Sequence, residues 1–530
     1  MKSKLLLTVL AAGACIQAGA QNKAAVKYAG TITTEDARKH LTILAGDDFQ
    51  GRETAGPGAE KAAQYLKKQY QALGLKAPVN GDFFQKVDLK LKTVLARNVS
   101  VNGQPLEFLK DFVITPSGFS GPAASYQDVV FVGYGIQSDK YDDLSAADLE
   151  GKVAIVLNGE PKSANGTYLI TGTDKPSDWT TGRSKKTMAL RAKKPALIVT
   201  VDPNMARYAN MKSSFDRPGY VLGEEKARPG AINSITLSAA AANKLLAPAG
   251  KTVEQLKADI DETGKFAPVS VKTSLSVDLK TELKPTDSKN VLAYLEGSDP
   301  KLKNELIVIS SHYDHVGVDE NGDVFNGADD DGSGTTGVLE IAEAFVKAKK
   351  AGKGPRRSIL FLNVVGEEKG LLGSQWYSDN PVFPLANTVT NLNIDMIGRV
   401  GFEYKGKADS ANYVYVIGSD KLSSTLKEIS EKANKTYTNL TLDYKYDDPN
   451  DTERIYYRSD HYNFAKHGIP IIFYFNGIHE DYHKVTDEVK KINFGALAKR
   501  AQLVFHTAWE IANRDEKPAV DRQNDMPATR

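Results

Sequence analysis

The stretch SILFLNVVGEEKGLLGS, residues 358–374, places two adjacent glutamates where an apolar run meets a glycine-rich segment. The run from Ser358 to Val365 is short, β-branched and bounded by Arg-Arg and Gly, which is typical of a buried strand. Glu367 and Glu368 would then follow the carboxyl end of that strand, the edge at which open α/β sheets bind ligands. An isolated Glu-Glu pair is more often a solvated turn, so the rest of the sequence must decide between the two interpretations.

The sequence on either side alternates strand-like and helical patterns. Apolar runs predict strands at residues 306–311, 358–365, 389–395, 412–418 and 470–476. Helical spacing predicts helices at residues 333–350, 420–434, 459–467 and 493–513, and two further helices between residues 33 and 76. This alternation predicts an α/β fold with a mixed, mostly parallel central sheet and helices on both faces.

The region from residue 88 to residue 283 has a different character. Segments such as YQDVVFVGYGI, GKVAIVLNGEP and KKPALIVTVDP are short strand patterns separated by turn signals. No histidine lies between His40 and His312, so this region offers little for catalysis. We therefore predict a discontinuous α/β domain, residues 21–87 and 284–515, interrupted by a β-rich insertion at residues 88–283.

The chain as a whole has 530 residues, with 68 Lys plus Arg against 66 Asp plus Glu and a formal net charge of +2. Its length predicts more than one domain, and the balanced charge argues against a nucleic-acid-binding protein. After the first twenty residues, no segment is apolar enough to span a membrane. The polar C-terminal segment, residues 516–530, is predicted to be a disordered tail.

The first twenty residues have the parts of a secretory signal peptide. Two lysines precede the apolar core LLLTVLAA, and Ala18-Gly19-Ala20 forms a small-x-small cleavage site before Gln21. We therefore predict an exported protein, with lipid anchoring at Cys15 as the less favoured alternative. Cys15 is the single cysteine of the chain, so cleavage after Ala20 would leave no sulfur for disulfides, catalysis or metal binding.

Five segments carry a histidine or carboxylate at or just beyond an apolar run. In chain order they are LIVISSHYDHVG with His312, NGADDDGSG, the Glu367-Glu368 pair, NLNIDMIG with Asp395, and EDYHKVTDE with His483. Each segment alone is a weak signal, but parallel strands would bring all of them to one edge. Oxygen and nitrogen donors without sulfur suit zinc or another divalent ion. Two neighbouring ions explain the set best, because one of the paired glutamates can bind metal while the other stays free as a general base.

The motifs His-x-Asp, GADDDGSG, GEEKGLLGS, NIDMIG and YHKVTDE, in this order, resemble metallopeptidase family twenty-eight, which includes double-zinc exopeptidases. The resemblance implies a secreted enzyme with two Zn²⁺ ions per chain that hydrolyses peptides, in the first place as an aminopeptidase. In the β-rich region, GYGI followed by DLEGKVAIVLNGEP is similar to the protease-associated domain that is often inserted in these enzymes.

The resemblance also implies a role for individual residues. The implied metal ligands are His312 and Asp395 for the first zinc, Glu368 and His483 for the second, and Asp330 as the bridge. The implied catalytic residues are Glu367 as general base, Asp314 as the group that orients the His312 imidazole, and Tyr482 as a donor to the tetrahedral intermediate. Residues expected to bind no metal are Asp460 and His461, which line the site, and His315, His467 and His479, which are structural or at the surface.

Three alternatives stay open from the sequence. A carboxypeptidase of the same family would need a cationic clamp for the substrate carboxylate, and Arg399, Arg454 and Arg458 lie near the site segments. A glutaminyl cyclase would use one zinc and usually lacks an inserted domain. A non-catalytic receptor-like protein would have lost ligands, whereas this chain keeps all five and the base.

Overall fold

The computed structural model describes residues 21–115, 118–163, 165–182, 185–224 and 232–526. The predicted signal peptide and Cys15 lie outside these residues. The described chain divides into two compact units: unit 1 contains the residues up to Asp88 and from Asp287 onward, and unit 2 is Leu89–Thr286. Unit 2 occupies nearly the same stretch as the predicted insertion. That it is a protease-associated domain stays a prediction.

Unit 1 begins with three helices and one strand before the chain enters unit 2. These elements are α1 (Lys23–Ala29), α2 (Thr34–Leu44), α3 (Pro57–Leu73) and β1 (Phe84–Val87). Helix α2 starts where the Thr33 side chain accepts a hydrogen bond from the Asp36 amide, and α3 has a proline in its first turn. Gly74 ends α3 in the left-handed conformation that glycine adopts without strain.

Unit 2 is built around one long sheet. Its strands are β2 (Leu89–Val101), β3 (Gln104–Pro105), β4 (Phe112–Val113), β5 (Ala124–Phe131), β6 (Val153–Leu157), β7 (Leu197–Asp202), β8 (Gly219–Leu222), β9 (Asn233–Ser238) and β10 (Val269–Pro285). Its helices are α4 (Asp178–Thr181), α5 (Lys185–Ala192), α6 (Lys212–Asp216), α7 (Ala239–Leu246) and α8 (Val253–Thr263). The strands lie in the order β3-β2-β10-β5-β6-β7-β9-β4, with β8 beside β2. Strands β5, β6, β7 and β9 are parallel neighbours, and β6 is apolar and buried on both faces, as parallel strands usually are.

The rest of unit 1 follows unit 2 in the chain. Its strands are β11 (Ser288–Leu295), β12 (Leu306–His312), β13 (Gly317–Val318), β14 (Val324–Phe325), β15 (Ser358–Val364), β16 (Thr388–Ile394), β17 (Tyr413–Ile417), β18 (Thr441–Asp443) and β19 (Ile471–Phe475). Its helices are α9 (Gly332–Lys350), α10 (Leu372–Asp379), α11 (Thr425–Ala433), α12 (His461–Ala465) and α13 (Phe494–Asn513). The sheet order is β1-β11-β15-β12-β16-β19-β17-β18, in which β15, β12, β16 and β19 are consecutive parallel strands.

Helices cover this sheet and bury its strands. Helices α9 and α13 contact β12, α12 contacts β16 and β19, and α10 contacts β11. Helix α9 is buried along most of its length because α1, α2 and α13 pack around it. The predicted mixed α/β fold is confirmed, and each predicted strand of unit 1 agrees with the observed strand to within one residue at either end. None of the described helices is long and apolar enough to cross a membrane.

Two predicted helices are shorter than expected. The helix predicted at residues 420–434 begins only at Thr425, because the chain first makes a turn in which the Lys421 amide donates to the Gly418 oxygen. The helix predicted at residues 459–467 is reduced to α12, since Gly468 follows with a left-handed backbone that ends the helical run.

The C-terminal segment from residue 516, predicted to be disordered, instead packs on unit 1 as far as residue 526. Asp521 accepts hydrogen bonds from the amide and the hydroxyl of Ser424, and Asp525 pairs with Lys421 at 2.9 Å. Met526 is buried in the apolar core of unit 1. Specific partners therefore order these residues, and the polar composition of the segment gives no sign of them.

Candidate metal centre

The carboxyl ends of β15, β12 and β16 meet at one edge of the unit 1 sheet, because these strands are parallel. Five segments carry the predicted metal ligands to this edge: His312 ends β12, Asp330 precedes α9, Glu368 follows β15, Asp395 follows β16, and His483 lies between β19 and α13. The structure brings all five together with Glu367, in two groups that meet at Asp330.

The first group consists of His312, Glu367 and Asp395. The His312 Nε2 atom lies 3.6 Å from Asp395 Oδ1 and 3.8 Å from Glu367 Oε2. It also lies 3.3 Å from Asp330 Oδ1. The other ring nitrogen, Nδ1, is 3.1 Å from the main-chain oxygen of Asp314, and this contact turns Nε2 toward the carboxylates.

The second group consists of His315, Asp330, Glu368 and His483. The His483 Nε2 atom is 3.0 Å from Asp330 Oδ2 and 3.1 Å from Glu368 Oε2. The His315 Nδ1 atom is 2.9 Å from Glu368 Oε1 and 3.9 Å from Asp330 Oδ2. Asp330 thus presents Oδ1 to the first group and Oδ2 to the second.

The inward-facing atoms of both groups fit divalent cations. In the part of the chain that the structure describes, His312 Nε2, both His315 ring nitrogens, Glu368 Oε1 and Asp395 Oδ1 are buried without a hydrogen-bond partner. Buried polar atoms are costly unless they are bound, so these atoms require a further partner. Within each group the ligand atoms lie within 4.8 Å of one another, and imidazole with carboxylate is the donor set of zinc and related metals.

The charges of the cluster also call for cations. Burial, together with the nearby Asp395 and Glu368 carboxylates, raises the pKa of Glu367 well above its usual range. Burial disfavours the charged form of His483, yet Asp330 and Glu368 outweigh it and raise the pKa of His483 to about 10. The carboxylates therefore draw protons into the cluster, and a divalent cation would supply the same positive charge directly.

A chain of buried hydrogen bonds fixes Asp395. The Ser459 hydroxyl donates to Asp395 Oδ2 at 2.6 Å, and the Asn393 amide group donates to Ser459 Oγ at 2.9 Å. The Ser310 hydroxyl in turn donates to Asn393 Oδ1 at 2.7 Å. This chain occupies one oxygen of Asp395 and leaves Oδ1 facing His312, as expected of a group that orients a metal ligand.

Asp331 ties the strand ends to the start of helix α9. Its Oδ1 accepts hydrogen bonds from the Gly334 and Met396 amides at 2.9 and 3.0 Å, and its Oδ2 accepts from the His312 amide at 3.3 Å. A Cβ atom on Gly334 would collide with this carboxylate, so glycine is required there. Asp331 therefore holds the surrounding main chain in place, whereas the side chain of the neighbouring Asp330 lies among the predicted metal ligands.

A second network holds the loop that carries His483 against the loop that carries Asp330. The His479 Nε2 atom lies 3.0 Å from Asp329 Oδ2. The Asp487 carboxylate accepts hydrogen bonds from the Asp329 and Asp330 amides at 2.9 and 3.1 Å. Because these contacts are buried, they fix the distance between the loop that carries His483 and the loop that carries Asp330.

Arg52 is a buried residue of the site region that the sequence pattern does not indicate. Its guanidinium donates to the main-chain oxygens of Tyr313 at 2.8 Å, Asn326 at 2.6 Å and Gly327 at 2.9 Å. It therefore braces the segment after β12 and the loop before α9 at the same time. In the sequence, Arg52 lies beside a Gly/Pro break between two helices, and nothing in that pattern indicates a contact more than 200 residues away.

Asp314 contacts the His312 ring through its main chain. Its carboxylate lies 3.7 Å from Nδ1, whereas the main-chain oxygen lies at 3.1 Å. The carboxylate is held elsewhere, because it accepts hydrogen bonds from the Thr54 hydroxyl at 2.5 Å and from the Glu367 amide at 3.2 Å. Asp314 thus links the end of β12 to the paired glutamates.

A pocket opens beside the first group. It is lined by Asp330, Glu367, Asp395, Arg458 and Tyr482, and by the apolar residues Met396, Ile455, Phe473, Phe475 and Ile478. The Tyr482 ring stacks on His483, and its hydroxyl lies 3.4 Å from Arg458 Nη2. Burial raises the pKa of Tyr482 beyond its ordinary range, so the hydroxyl stays a protonated donor.

Asp460 and His461 are fully buried, and neither belongs to a metal group among the described residues. The His461 Nε2 atom is 2.8 Å from the Tyr456 main-chain oxygen, and Asp460 accepts a hydrogen bond from the Ser374 hydroxyl at 2.5 Å. His467 lies at the surface. Asp460 and His461 are therefore held by hydrogen bonds within the protein.

His315, expected to be structural or at the surface, lies in the second group. Residues three apart on a strand point to opposite faces, so its spacing from His312 does not indicate a common site. The chain, however, leaves β12 at His312 and turns, and the His315 amide then donates to the Arg52 main-chain oxygen. The signal that could have identified it is a second histidine, in His-Tyr-Asp-His, where a metal-binding strand ends.

The sequence of this region matches a known family. Residues 290–508 match Peptidase family M28. A probable leucine aminopeptidase of Arthroderma otae is 28% identical over 219 residues, which cover 40% of this chain and 56% of that protein. Leupeptin-inactivating enzyme 1 of Streptomyces exfoliatus is 29% identical over 240 residues, which cover 45% of this chain and 47% of that protein. The chain thus spans about half the length of the curated relatives that it matches.

The fold is similar to that of a solved structure. The aminopeptidase from Aneurinibacillus sp. strain AM-1 matches with a TM-score of 0.52 and 17% sequence identity, and the match covers 94% of this chain and 100% of that one. At this identity the similarity supports the fold alone, and it agrees with the mixed α/β architecture of unit 1.

Proposed function

We propose that the chain is an exported double-zinc aminopeptidase that removes N-terminal residues from peptides. The observation that carries this proposal is the Asp330 carboxylate, whose two oxygens face two separate groups of histidine and carboxylate side chains. A shared carboxylate of this kind suits two divalent ions held close together. The relatives that are named leucine aminopeptidases support the same activity.

In this proposal, His312 and Asp395 would hold one ion, Glu368 and His483 would hold the other, and Asp330 would be shared by both. When bound, such ions lower the pKa of a water molecule and polarise the carbonyl group of the scissile peptide bond. The buried chain of hydrogen bonds behind Asp395 and the stacking of Tyr482 on His483 hold these side chains in place before substrate arrives.

Glu367 acts as the general base. Its carboxylate lines the pocket, and the hydrogen bond from its amide to Asp314 fixes its main chain at the end of β15. At a carboxylate oxygen it takes the proton of the attacking water, and it then delivers that proton to the nitrogen of the leaving amine. The Tyr482 hydroxyl, which remains protonated, donates a hydrogen bond to the substrate oxygen as negative charge develops there.

The apolar wall of the pocket favours an apolar N-terminal side chain. It consists of Met396, Ile455, Phe473, Phe475 and Ile478. Burying such a side chain against this wall contributes about 25 cal/mol for each Å² of apolar surface removed from water. A charged N-terminal side chain would gain nothing there and would lose its hydration.

A carboxypeptidase is the second candidate, and Arg458 is the observation that favours it. Arg399 is buried and donates to Asp481 at 2.7 Å, so it is engaged within the protein. Arg454 packs over the Tyr457 ring, 4.8 Å from its centroid. The Arg458 side chain, by contrast, lines the pocket and is 38% exposed, and a guanidinium there could bind a substrate carboxylate.

A panel of matched peptides with N-terminal leucine tests the proposal. An aminopeptidase cleaves the free and the C-amidated peptides and leaves the N-acetylated peptide intact. A carboxypeptidase cleaves the free and the N-acetylated peptides and leaves the C-amidated peptide intact. A glutaminyl cyclase would instead release ammonia from peptides that begin with glutamine, and a receptor-like protein would change none of them. The Glu367→Gln protein is the matched control for contaminating peptidases, and a mature N-terminus at Gln21 in the exported fraction tests export.

A further inference from the structure

We infer that His315 is a fourth protein ligand of the second metal ion, beside Asp330, Glu368 and His483. The inference rests on the proposed two-metal centre and extends it, because it makes the two ion sites chemically unequal. The second site would hold two imidazoles and two carboxylates, and the first site would hold one imidazole.

The first argument is that His315 has no structural partner for its ring. The residue is fully buried, and within the described chain neither ring nitrogen has a hydrogen-bond partner. Two other buried histidines differ in this respect: His461 Nε2 is 2.8 Å from a main-chain oxygen, and His479 Nε2 is 3.0 Å from Asp329 Oδ2. An imidazole buried for packing alone would lose hydration at both nitrogens without compensation.

The second argument is the direction of the ring. His315 Nδ1 and Glu368 Oε1 are 2.9 Å apart, yet both are buried atoms without a hydrogen-bond partner among the described residues. Two ligand atoms on one zinc ion, each about 2.1 Å from the metal, lie roughly 3.0 to 3.4 Å from each other. The short separations in this group, 2.9, 3.0 and 3.1 Å, are close to that range, as is expected of atoms that point at a common third body.

The third argument is that the surrounding chain fixes the ring in this position. The His315 amide donates to the Arg52 main-chain oxygen at 3.0 Å, and the Arg52 guanidinium braces the neighbouring loop. The ring lies against Gly327, where a Cβ atom would collide with it. Because Gly327 leaves this space, the imidazole reaches the carboxylates of Glu368 and Asp330 in a preformed position.

An unequal pair of sites has a consequence for metal preference. Imidazole favours zinc, nickel and copper, whereas carboxylates suit manganese and magnesium. The first zinc ion added to the metal-free chain should therefore occupy the second site, and manganese should replace zinc more readily in the first site.

X-ray absorption spectroscopy of the full-length protein with one equivalent of zinc tests the inference. We expect a spectrum with two imidazole ligands per zinc ion. The His315→Ala protein should show one, and its first zinc should bind more weakly by over a hundredfold, beyond the 10- to 100-fold effect typical of a lost outer-shell partner. His506→Ala is the matched control, because His506 is also buried with an unpartnered Nδ1 but lies outside both metal groups.

A His315→Gln variant separates a ligand from a hydrogen-bond partner. Glutamine can still donate to Glu368 but cannot act as an imidazole ligand, so zinc affinity should stay as low as in His315→Ala. Wild-type zinc affinity in His315→Gln, or a single imidazole per zinc in the wild-type spectrum, would overturn the inference while leaving the two-metal proposal intact. Failure of the wild-type chain to bind zinc at all would refute both.

Discussion

The two units share a design and use it differently. Each contains four consecutive parallel strands, β15-β12-β16-β19 in unit 1 and β5-β6-β7-β9 in unit 2. In each unit, buried acidic residues lie where parallel strands end. The difference between the units is in what those acids contact.

In unit 2, each buried acid has its own local donors. Asp143 accepts hydrogen bonds from the Tyr134 and Ile136 amides at 2.5 and 2.7 Å. These two amides belong to the turn that follows β5. Glu160, just beyond β6, accepts from the amide and the hydroxyl of Ser177 at 2.6 and 2.8 Å. These carboxylates cap the turns that follow the strands, and their oxygens are satisfied.

In unit 1, the acids at the strand ends have oxygens without partners, and those oxygens converge on histidines. Glu368 Oε1 and Asp395 Oδ1 are the examples, and the groups able to hold a metal that the described residues contain are both in this unit. A buried acid at the end of a parallel strand is therefore not by itself a functional signal. A carboxylate that caps a turn has both oxygens hydrogen-bonded to nearby donors. A carboxylate of a candidate metal site has an oxygen without such a donor, which faces the other ligand atoms.

Removal of metal should have the largest effect among the tests of this difference between the carboxylates of the two units. We expect chelation to abolish peptide hydrolysis and added zinc to restore it, because the proposed mechanism activates water on the metal and several inward-facing atoms of the two groups have no other partner among the described residues. Metal content by elemental analysis, measured beside turnover, checks the result. Full activity in a rigorously metal-free preparation would end the interpretation of these groups as a metal centre.

A matched pair of aspartates tests the contrast directly. Asp330 and Asp143 are similarly buried, at 3% and 2% exposure. Asp330→Ala should lose most of the bound metal and with it the activity, because one carboxylate serves both groups. Asp143→Ala should keep the metal but lower the free energy of unfolding by at least about 2 kcal/mol, because buried donors are left unpaired. Two ions per chain in Asp330→Ala, or metal loss in Asp143→Ala, would remove the distinction.

The paired glutamates sharpen the contrast within unit 1. Glu367→Gln should retain both ions and lower turnover by at least about a hundredfold, since it removes the proton acceptor and leaves the ligands intact. Glu368→Gln should instead weaken binding of one ion, because a neutral amide is a poorer ligand. Metal content and turnover of both variants, measured together, decide the assignment. The opposite pattern would exchange the two roles, and near-normal turnover in Glu367→Gln would remove the base from the mechanism.

Glu340 tests whether a buried carboxylate without hydrogen-bond partners binds metal when it lies outside the two metal groups. It is buried in α9, and neither of its oxygens has a hydrogen-bond partner among the described residues. The His40 Nε2 atom lies 3.8 Å from its Oε1. Burial, followed by the nearby Glu343 and Asp36 charges, raises the pKa of Glu340 from 4.5 to about 8. Glu340 belongs to neither metal group of the described residues, so we expect no bound metal there and an effect on stability alone.

The sign of that effect follows from the raised pKa. Between about pH 4.5 and pH 8 the folded chain holds the Glu340 proton and the unfolded chain does not, so this residue makes stability fall as pH rises. Glu340→Gln removes this slope and should be more stable than wild type at pH 8.5, on the order of 3 kcal/mol, with little difference at pH 4.5. Unfolding curves at the two pH values measure it. Equal stability of the two proteins at pH 8.5 would contradict the buried, unpaired state of this carboxyl group.

The sequence predicts the strands of unit 1 well because they are continuous apolar runs. Those runs point to the segments that carry six of the seven clustered side chains, and the family resemblance then singles out the individual residues. His315 was missed because its place depends on how the chain turns after β12. Arg52 was missed because its partners are main-chain oxygens, which leave no pattern in side chains. The ordered C-terminal segment also leaves no pattern in the sequence, because individual hydrogen bonds such as that from Ser424 to Asp521 hold it on unit 1.

The placement of Arg52 has a consequence for the order of biosynthesis. Its contacts to Tyr313 and Gly327 join positions that are 261 and 275 residues apart in the sequence. The main-chain partners of Arg52 are therefore synthesised only after the whole of unit 2. His483 leaves the ribosome later still. A growing chain therefore cannot assemble both groups before His483 has been synthesised.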